Sequence, residues 1–410
     1  MNSRLASPRP CLLLVLTLFT TIAIPSTSAA AGPDRIVLSR GANAATTMAV
    51  SWRGGGAGVQ ITPAPPGPDL KDGAISVEAE SEDIETDSGT WEYHSAVFTG
   101  LKPETTYAYR VGSGIHWSPW THFTTAAAGA KPFSFIYLGD LQNGVRSHCR
   151  RVVHAAYREA PDAAFMLQAG DLVNRGNEDD HWDGWFETCG WLVHELPLVP
   201  VLGNHETHII TVNDKKHYNQ TPPLWKGLFA LPDNGPEGLE DTAYWFDYQG
   251  VRIVVLNSNH QRDKQAAWLE DVLTGRGDKW SIVSMHHPVY PSAKKRGTGK
   301  GRQRDTFQPV FDRMGVDLVL QGHDHSYMRT GLMRHDPEID ENHVATESDT
   351  GTVYVNSVVG SKQYDVATAP FKRRTGQELQ LYQVIHIDGD ALHYRAYTAD
   401  GSLYDDFKLE

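Results

Sequence analysis

Five short apolar runs of the 410-residue chain each end in a polar cluster rich in Gly, Asp, Asn and His. The runs are 133–138, 163–169, 198–202, 280–285 and 316–321, and the clusters are Gly139–Gln142, Gly170–Gly176, Gly203–Glu206, His286–Pro288 and Gly322–His325. Apolar runs of this length are typical of buried strands. Because open α/β sheets bind their ligands beyond the carboxyl ends of strands, we expect the clusters to meet at one edge.

Segments with helical spacing lie between these strands and predict βαβ crossovers. The helical segments are 145–160, 181–195, 262–274 and 307–314. A hairpin is predicted around Gln249-Gly250, between strands 242–248 and 251–256. The strand-rich segments 352–359, 379–387 and 391–397 are expected to close the second of two sheets.

Residues 32–127 have a different pattern, with alternating strands such as 46–52 and no helical spacing. Tyr107 follows a turn at the start of a strand, as in the tyrosine corner of β-sandwiches. We expect this region to be a scaffold. Binding of carbohydrate or a surface through Trp117 and Trp120 is the alternative, and residues 126–130 are a short linker before a second domain at 131–410.

The first 31 residues have the features of a secretory signal peptide. Arg4 and Arg9 precede the apolar stretch Cys11–Ile24, and small residues, Ser28–Ala31, follow it. The apolar stretch is shorter than the ~20 residues that a membrane span needs. The sequence therefore predicts a secreted or periplasmic protein without a membrane anchor.

Removal of residues 1–31 leaves 35 basic and 50 acidic residues, a net charge of −15. This charge argues against nucleic acid as a standing partner, since duplex binding needs clustered positive charge. Cys149 and Cys189 then remain, either as a disulfide or as two buried thiols, and their spacing excludes a zinc finger. The oligomeric state is not indicated.

The ordered clusters resemble those of the calcineurin-like metallophosphoesterases, and of the purple acid phosphatases most closely, from Asp34 to the C terminus. The resemblance implies an α/β fold of two mixed β-sheets packed as a sandwich with helices outside, preceded by an all-β fibronectin type III-like domain. It implies an exported phosphatase acting on small phosphate monoesters. A phosphodiesterase or nucleotidase and an inert secreted binding module are the alternatives.

The same resemblance implies two metal ions, iron, manganese or zinc, whose bridging hydroxide attacks the phosphate ester. It assigns Asp140, Asp171 and His325 to the first ion, and Asn204, His286 and His323 to the second, with Asp171 shared as the bridge. His323 and His325 are two residues apart, so on a regular strand both would face the same way, one for each ion.

The resemblance also implies substrate contacts. His205 is expected to protonate the leaving oxygen, with a purely structural imidazole as the alternative. Arg175 either grips phosphate or is a surface residue. His287 and Tyr327 either line the cleft or pack beside a ligand. Asn204 is expected to contact the substrate in addition to the second ion.

Three features qualify the resemblance. Asn174 occupies the position of the tyrosine whose iron bond colours purple acid phosphatases, so we expect a protein that is not purple. Gln142 stands where many metallophosphoesterases have a ligating His, and either binds the first ion or lies beside it. The segment 294–304 has six Lys or Arg residues, and is either a solvated loop or a cleft edge that attracts anions.

Overall fold

We describe a computed structural model of the chain. It describes residues 32–212, 215–220, 222–276, 280–296, 302–334 and 348–410. The predicted signal peptide and residues 297–301 of the basic segment lie outside these ranges. Within them, no helix has both the length and the apolar character that crossing a membrane requires.

The N-terminal region is a β-sandwich of nine strands. They are β1 (Asp34–Arg40), β2 (Met48–Arg53), β3 (Val59–Pro63), β4 (Ile75–Val77), β5 (Glu80–Thr86), β6 (Gly89–Phe98), β7 (Thr106–Ser113), β8 (His116–Trp117) and β9 (Thr121–Thr124). One face has the order β1-β2-β6-β5, and the other β4-β3-β7-β8 with β9 beside β7. Trp52 and Phe123 lie in the core between them. The Tyr107 hydroxyl accepts a hydrogen bond of 2.9 Å from the Lys102 amide, which is the predicted tyrosine corner.

The remainder of the chain alternates strands and helices. The strands are β10 (Phe133–Leu138), β11 (Met166–Gln168), β12 (Leu198–Pro200), β13 (His208–Val212), β14 (Lys215–Gln220), β15 (Tyr244–Tyr248), β16 (Val251–Leu256), β17 (Trp280–Met285), β18 (Leu318–Gln321), β19 (Tyr327–Met333), β20 (Thr352–Asn356), β21 (Lys372–Gly376), β22 (Leu381–Asp388), β23 (Ala391–Thr398) and β24 (Leu403–Leu409). The α-helices are α1 (Arg150–Glu159), α2 (Asp179–Cys189), α3 (Leu192–Glu195), α4 (Pro223–Leu228), α5 (Arg262–Thr274) and α6 (Arg302–Met314).

Two large sheets organise this region. The first has parallel strands β10, β11 and β12 at its centre, and the second has parallel strands β16, β17, β18 and β20. Strand β20 is in the second sheet, as expected. The expectation that the last strands also close that sheet is wrong, because β22 pairs antiparallel with β10 and extends the first sheet through β23 and β24.

The first sheet continues into the N-terminal sandwich. Strand β1 pairs in parallel with β12, with Ser39 opposite Leu198, so that β1, β2, β6 and β5 extend the first sheet. The linker is fastened by Gln249, whose side chain accepts a hydrogen bond from the Ala127 amide and donates one to the Lys131 carbonyl. The division at 127 and 131 stays a prediction, because the sheet runs across it.

The two sheets of the α/β region face each other across a buried apolar layer. Phe135 and Leu167 of the first sheet lie in the same core cluster as Ile282 and Leu320 of the second. The Tyr137 hydroxyl is hydrogen-bonded to both the carbonyl and the amide of Gln321. This packing brings the carboxyl ends of the central strands of both sheets together.

The segment predicted as one helix over 145–160 begins as a π-helical turn, Val145–Cys149, and continues as α1. π-Helical turns are often found at functional sites. Cys149 in this turn and Cys189 in α2 are free, buried thiols, and burial raises the pKa of each to about 12. Of the two alternatives for the cysteines, the structure has the buried thiols.

Candidate metal centre

The predicted metal ligands follow the central strands of both sheets. Asp140 follows β10, Asp171 follows β11, Asn204 follows β12, His286 follows β17, and His323 and His325 follow β18. Because β10 to β12 are neighbours in one sheet and β17 and β18 in the other, these side chains meet where the two sheet edges face each other. Their carboxylate and imidazole atoms form two compact groups that share Asp171.

The group assigned to the second ion converges on the His286 Nε2 atom. This atom lies 3.1 Å from Asp171 Oδ2, 3.2 Å from Asn204 Oδ1 and 3.2 Å from His323 Nδ1. Donors about 2.1 Å from one ion in a tetrahedral arrangement lie roughly 3.4 Å apart. The His286 Nδ1 atom is 2.9 Å from the Ala169 carbonyl, an acceptor that keeps the proton on Nδ1 and leaves Nε2 for an ion.

The group assigned to the first ion contains Asp140, Asp171 and His325. The His325 Nδ1 atom is 3.1 Å from the Lys362 carbonyl, which leaves its Nε2 atom free to bind an ion. The Gln142 side chain lies inside this group, with its Nε2 atom 2.5 Å from Asp171 Oδ2 and 3.1 Å from His325 Nε2. The glutamine is therefore in contact with two predicted ligands, and its own role as a ligand stays a prediction.

Unpartnered polar atoms show that these residues fit metal ions. Both carboxylate oxygens of Asp140 and the Oε1 atom of Gln142 are buried without a hydrogen-bond partner in the described part of the chain. Leaving a buried acceptor unsatisfied costs about 1–3 kcal/mol, and more when it is charged. A cation at the first group would satisfy the Asp140 carboxylate, and the mixture of carboxylate, amide and imidazole donors suits iron, manganese or zinc.

The pKa shifts of the cluster follow from burial and from its two carboxylates. Burial and the charge of Asp171 raise the pKa of Asp140 well above its ordinary value. Burial lowers the pKa of a histidine, but Asp171 and Asp140 together raise that of His286 to about 9. Burial, with the positive charge of neighbouring groups, lowers the pKa of His323, and that of His325 to about 4. These last two imidazoles are therefore neutral at pH 7, the form in which histidine binds metal.

Three of the predicted ligands have left-handed backbone conformations. The φ angles are 50° at Asp171, 71° at His323 and 44° at His325. Both histidines follow β18, as the sequence analysis placed them, so the regular-strand geometry considered for them does not apply. Each nevertheless belongs to a different ligand group, as expected. Strained backbone of this kind is concentrated at functional sites, where the surroundings maintain it.

Close approach of the loops depends on glycine. A Cβ atom on Gly203 would lie 2.1 Å from the Asp171 amide nitrogen and 2.3 Å from its Oδ1 atom. A Cβ atom on Gly170 would lie 2.5 Å from the His286 ring. Glycine at position 203 leaves room for Asp171, and glycine at position 170 leaves room for the His286 ring.

Glu206 connects the same loops, and the sequence analysis gave it no role. Its carboxylate is fully buried and accepts hydrogen bonds from the amides of Asp171 (2.9 Å), Val173 (3.1 Å) and Gly203 (2.8 Å). Burial and the adjacent charge of Asp171 raise the pKa of Glu206 to about 8. Its position directly after the Asn204-His205 pair was the one sequence signal for this role.

His205 is held against the shared aspartate. Its amide donates to Asp171 Oδ1 at 2.9 Å, and its Nδ1 atom lies 2.6 Å from the Asn174 carbonyl. The carbonyl keeps a proton on Nδ1, so Nε2 is the nitrogen available to a substrate. The Asn174 side chain accepts a hydrogen bond of 3.2 Å from Asn143, the residue after Gln142.

The other substrate-contact predictions have different outcomes. The Arg175 side chain is 61% exposed and pairs with Glu178 at 2.7 Å, as its surface alternative describes. His287 is held by the Ser258 hydroxyl (2.9 Å), and its ring lies 4.4 Å from that of His323. Tyr327 does not line the cleft, because its hydroxyl is buried against Asp405 at 2.7 Å. Substrate contact by Arg175 and His287 stays a prediction.

A cationic group lies beside His325, and of its residues the sequence analysis named only Lys295, as part of the segment 294–304. The Tyr364 ring lies 4.8 Å from the His325 ring, and the ammonium groups of Lys295 and Lys362 lie 3.2 and 5.4 Å from its centre. Tyr364 and Lys362 follow β20, which neighbours β18, so the strand-end argument applied to 352–359 would have pointed to them. Lys295 belongs to the basic segment, so part of that segment lies at the site.

Comparison with known families identifies the class to which this fold and site belong. Residues 133–327 match the calcineurin-like phosphoesterase family, and residues 33–125 match the N-terminal domain of purple acid phosphatases. The chain has a calcineurin-like metallophosphoesterase domain together with the N-terminal domain of the purple acid phosphatases. The predicted family and fold class are confirmed.

Individual relatives are distant. The chain is 25% identical to purple acid phosphatase 15 of Arabidopsis thaliana, 28% to a purple acid phosphatase of Glycine max and 26% to an uncharacterised protein of Mycobacterium tuberculosis. Each match covers 58% of this chain, which spans about half the length of these relatives (49%, 52% and 51%). In structure, a purple acid phosphatase from yellow lupin seeds superposes with a TM-score of 0.76 over 93% of this chain and 74% of its own, at 17% identity.

Proposed function

We propose that the chain is an exported phosphatase that uses two metal ions to hydrolyse small phosphate monoesters. The observation that carries the proposal is the pair of ligand groups that share Asp171. An inert binding module has no need to bury two carboxylates side by side, since burying unneutralised charge is costly. Export rests on the sequence of residues 1–31 alone.

The chain would hold the first ion through Asp140, Asp171, His325 and, at its amide oxygen, Gln142. It would hold the second through Asn204, His286 and His323, with Asp171 shared. When bound, such a pair of ions acidifies water and neutralises the charge on the phosphoryl oxygens. The protein supplies the spacing, because Glu206 holds the Asp171 loop against the loop of Asn204.

His205 is the proposed general acid. Its Nδ1 proton faces the Asn174 carbonyl, so the protonated ring presents Nε2–H to the leaving oxygen. Its amide is bonded to Asp171, so the ring keeps a constant position relative to the shared ligand. Lys295 and Lys362, beside His325, place positive charge at the rim, where they would attract an anionic ester.

Metal analysis of the purified protein and of an Asp171→Ala variant tests the proposal. We expect two ions per chain in the parent protein, loss of at least one in the variant, and loss of phosphomonoesterase activity. Asp180→Ala is the matched control, since Asp180 is an exposed aspartate paired with Arg146, and it should keep both properties. Full activity with unchanged metal content in Asp171→Ala would contradict the proposal. Parallel assays on diesters and nucleotides would separate the alternatives.

A further inference from the structure

In the described part of the chain, a buried arginine without an acidic partner lies where the N-terminal sandwich meets the α/β region. Arg40, the last residue of β1, is 2% exposed. Its Nη2 atom donates to the Ala164 carbonyl. Its Nε and Nη1 atoms, which carry three N–H donors, are buried without a hydrogen-bond partner among the described residues.

Two neighbouring buried arginines, in contrast, form ion pairs with carboxylates. Arg35 is paired with Asp179 and Asp183, both at 2.6 Å, and Arg53 with Asp34 at 2.6 Å. Removing an unpaired charge from water costs several kcal/mol. The charges of Arg35 and Arg53 are therefore paired with carboxylates, whereas Arg40 has no such pair among the residues that the structure describes.

Arg40 lines a cavity of about 620 Å³ between the two regions, a volume usual for small-molecule sites. Aromatic side chains of Tyr157, Trp191 and Tyr248 contribute to its walls, and the Arg40 guanidinium lies 4.9 Å from the Tyr248 ring. Three carboxylates also line the cavity, those of Glu104, Asp162 and Glu195, and Glu104 is paired with Lys131. Burial lowers the pKa of Arg40, and the group that opposes this shift is the Tyr248 phenol rather than a carboxylate.

We propose that this junction cavity binds a small organic anion. Its carboxylate or phosphate oxygens would accept hydrogen bonds from Arg40, which forms its strongest pairs with such groups. Its apolar or aromatic body would pack against Tyr157 and Trp191. The inference goes beyond the proposed function, and no residue of the metal centre takes part in it.

Calorimetric titration of the metal-loaded protein with benzoate tests the proposal, because benzoate joins a carboxylate to an aromatic ring. We expect saturable binding of one benzoate per chain, weakened at least tenfold in Arg40→Gln, since that variant loses the charge-assisted hydrogen bonds to the carboxylate. Arg313→Gln, at an exposed arginine paired with Glu270, is the matched control and should leave the affinity unchanged. Asp171→Ala should also keep it, which separates this cavity from the metal centre.

Benzamidine, which has a cationic group on the same ring, should neither bind in the cavity nor compete. Absence of saturable benzoate binding, an unchanged affinity in Arg40→Gln, or competition by benzamidine would each overturn the proposal. If Arg40→Gln does not fold, Trp191→Ala carries the test, because this side chain is 49% exposed and contributes little to the core. A weakened affinity in that variant supports the site, and an unchanged one rejects it.

Discussion

Replacing Glu206 with Gln would test how the two central loops of the metal centre are held together. Its Oε2 atom accepts from the amides of Asp171 and Gly203, and its Oε1 atom from that of Val173. A glutamine has a single acceptor oxygen. If that oxygen keeps the two bonds to Asp171 and Gly203, its NH₂ group faces the Val173 N–H, and two donors oppose each other.

The cost follows from the number of hydrogen bonds lost. One buried donor left unsatisfied costs about 1–3 kcal/mol. Metal ions bound at Asp171 would offset the charge that raises the pKa of Glu206, so for the metal-loaded protein at pH 8 we expect Glu206→Gln to lower the free energy of unfolding by about 2 kcal/mol. Glu206→Ala leaves three buried donors without an acceptor, and the resulting loss would be a large part of the ~5–15 kcal/mol that stabilises a domain. The glutamine variant is therefore the one to measure. Because Glu206 positions Asp171, metal affinity should also fall by ~10–100-fold.

Urea unfolding measures the change in the free energy of unfolding, and metal retention against a competing chelator measures the change in metal affinity. Glu178→Gln is the matched control, because Glu178 is 33% exposed and its pair with Arg175 is worth at most about 1 kcal/mol. The control should keep the parent's metal affinity. A Glu206→Gln variant within about 0.5 kcal/mol of the parent protein, the usual range of surface substitutions, and with unchanged metal affinity would refute the reasoning.

Three further predictions concern the acid, the colour and the junction of the two regions. His205→Ala should keep its metal but lose ~10²–10⁴-fold in turnover on alkyl phosphates and less on 4-nitrophenyl phosphate; an equal loss on both would contradict the acid role. Asn174→Tyr loaded with iron should gain a visible absorption band that the parent lacks, and a purple parent protein would refute our interpretation of this position. Burial raises the pKa of Asp179, but hydrogen bonds from Ser88 and Arg35 outweigh burial and lower the pKa overall. The contribution of the Asp179 carboxylate to the stability of the fold is therefore present above about pH 4 and is lost as the pH falls. Urea midpoints of Asp179→Asn should therefore fall less than those of the parent between about pH 5 and 3, and parallel curves would count against this pairing.

The positions of the predicted metal ligands at strand ends could be read from the sequence because their signal is local. Each apolar run and the Gly or His that follows it lie within about ten residues of the sequence. A ligand-type residue that follows a strand lies at the end of that strand, whichever strands are its neighbours in the sheet. The runs before Asp140 and His286 became β10 and β17 with the predicted bounds. Asp171 and His323 were found by the same argument, although the backbone at both is left-handed.

Strand order could not be predicted in the same way. Residues 381–388 alternate as a strand should, but alternation shows which side chains share a face and not which strand lies alongside. Their partner is β10, about 250 residues earlier in the chain. The role of Glu206 was hidden for a similar reason, since its three donors come from loops whose approach depends on the packing of the strands.

The ladder between Ser39 and Leu198 also bears on the order of assembly. Without β1, strand β12 would be an open edge of the first sheet, a template for pairing with another chain. Synthesis delivers β1 some 160 residues before β12, and domains tend to fold from the N terminus as they emerge, so β12 arrives at a border that is already built. A fragment that starts at residue 131 lacks this template, and we expect light scattering to show that it self-associates where the longer chain does not.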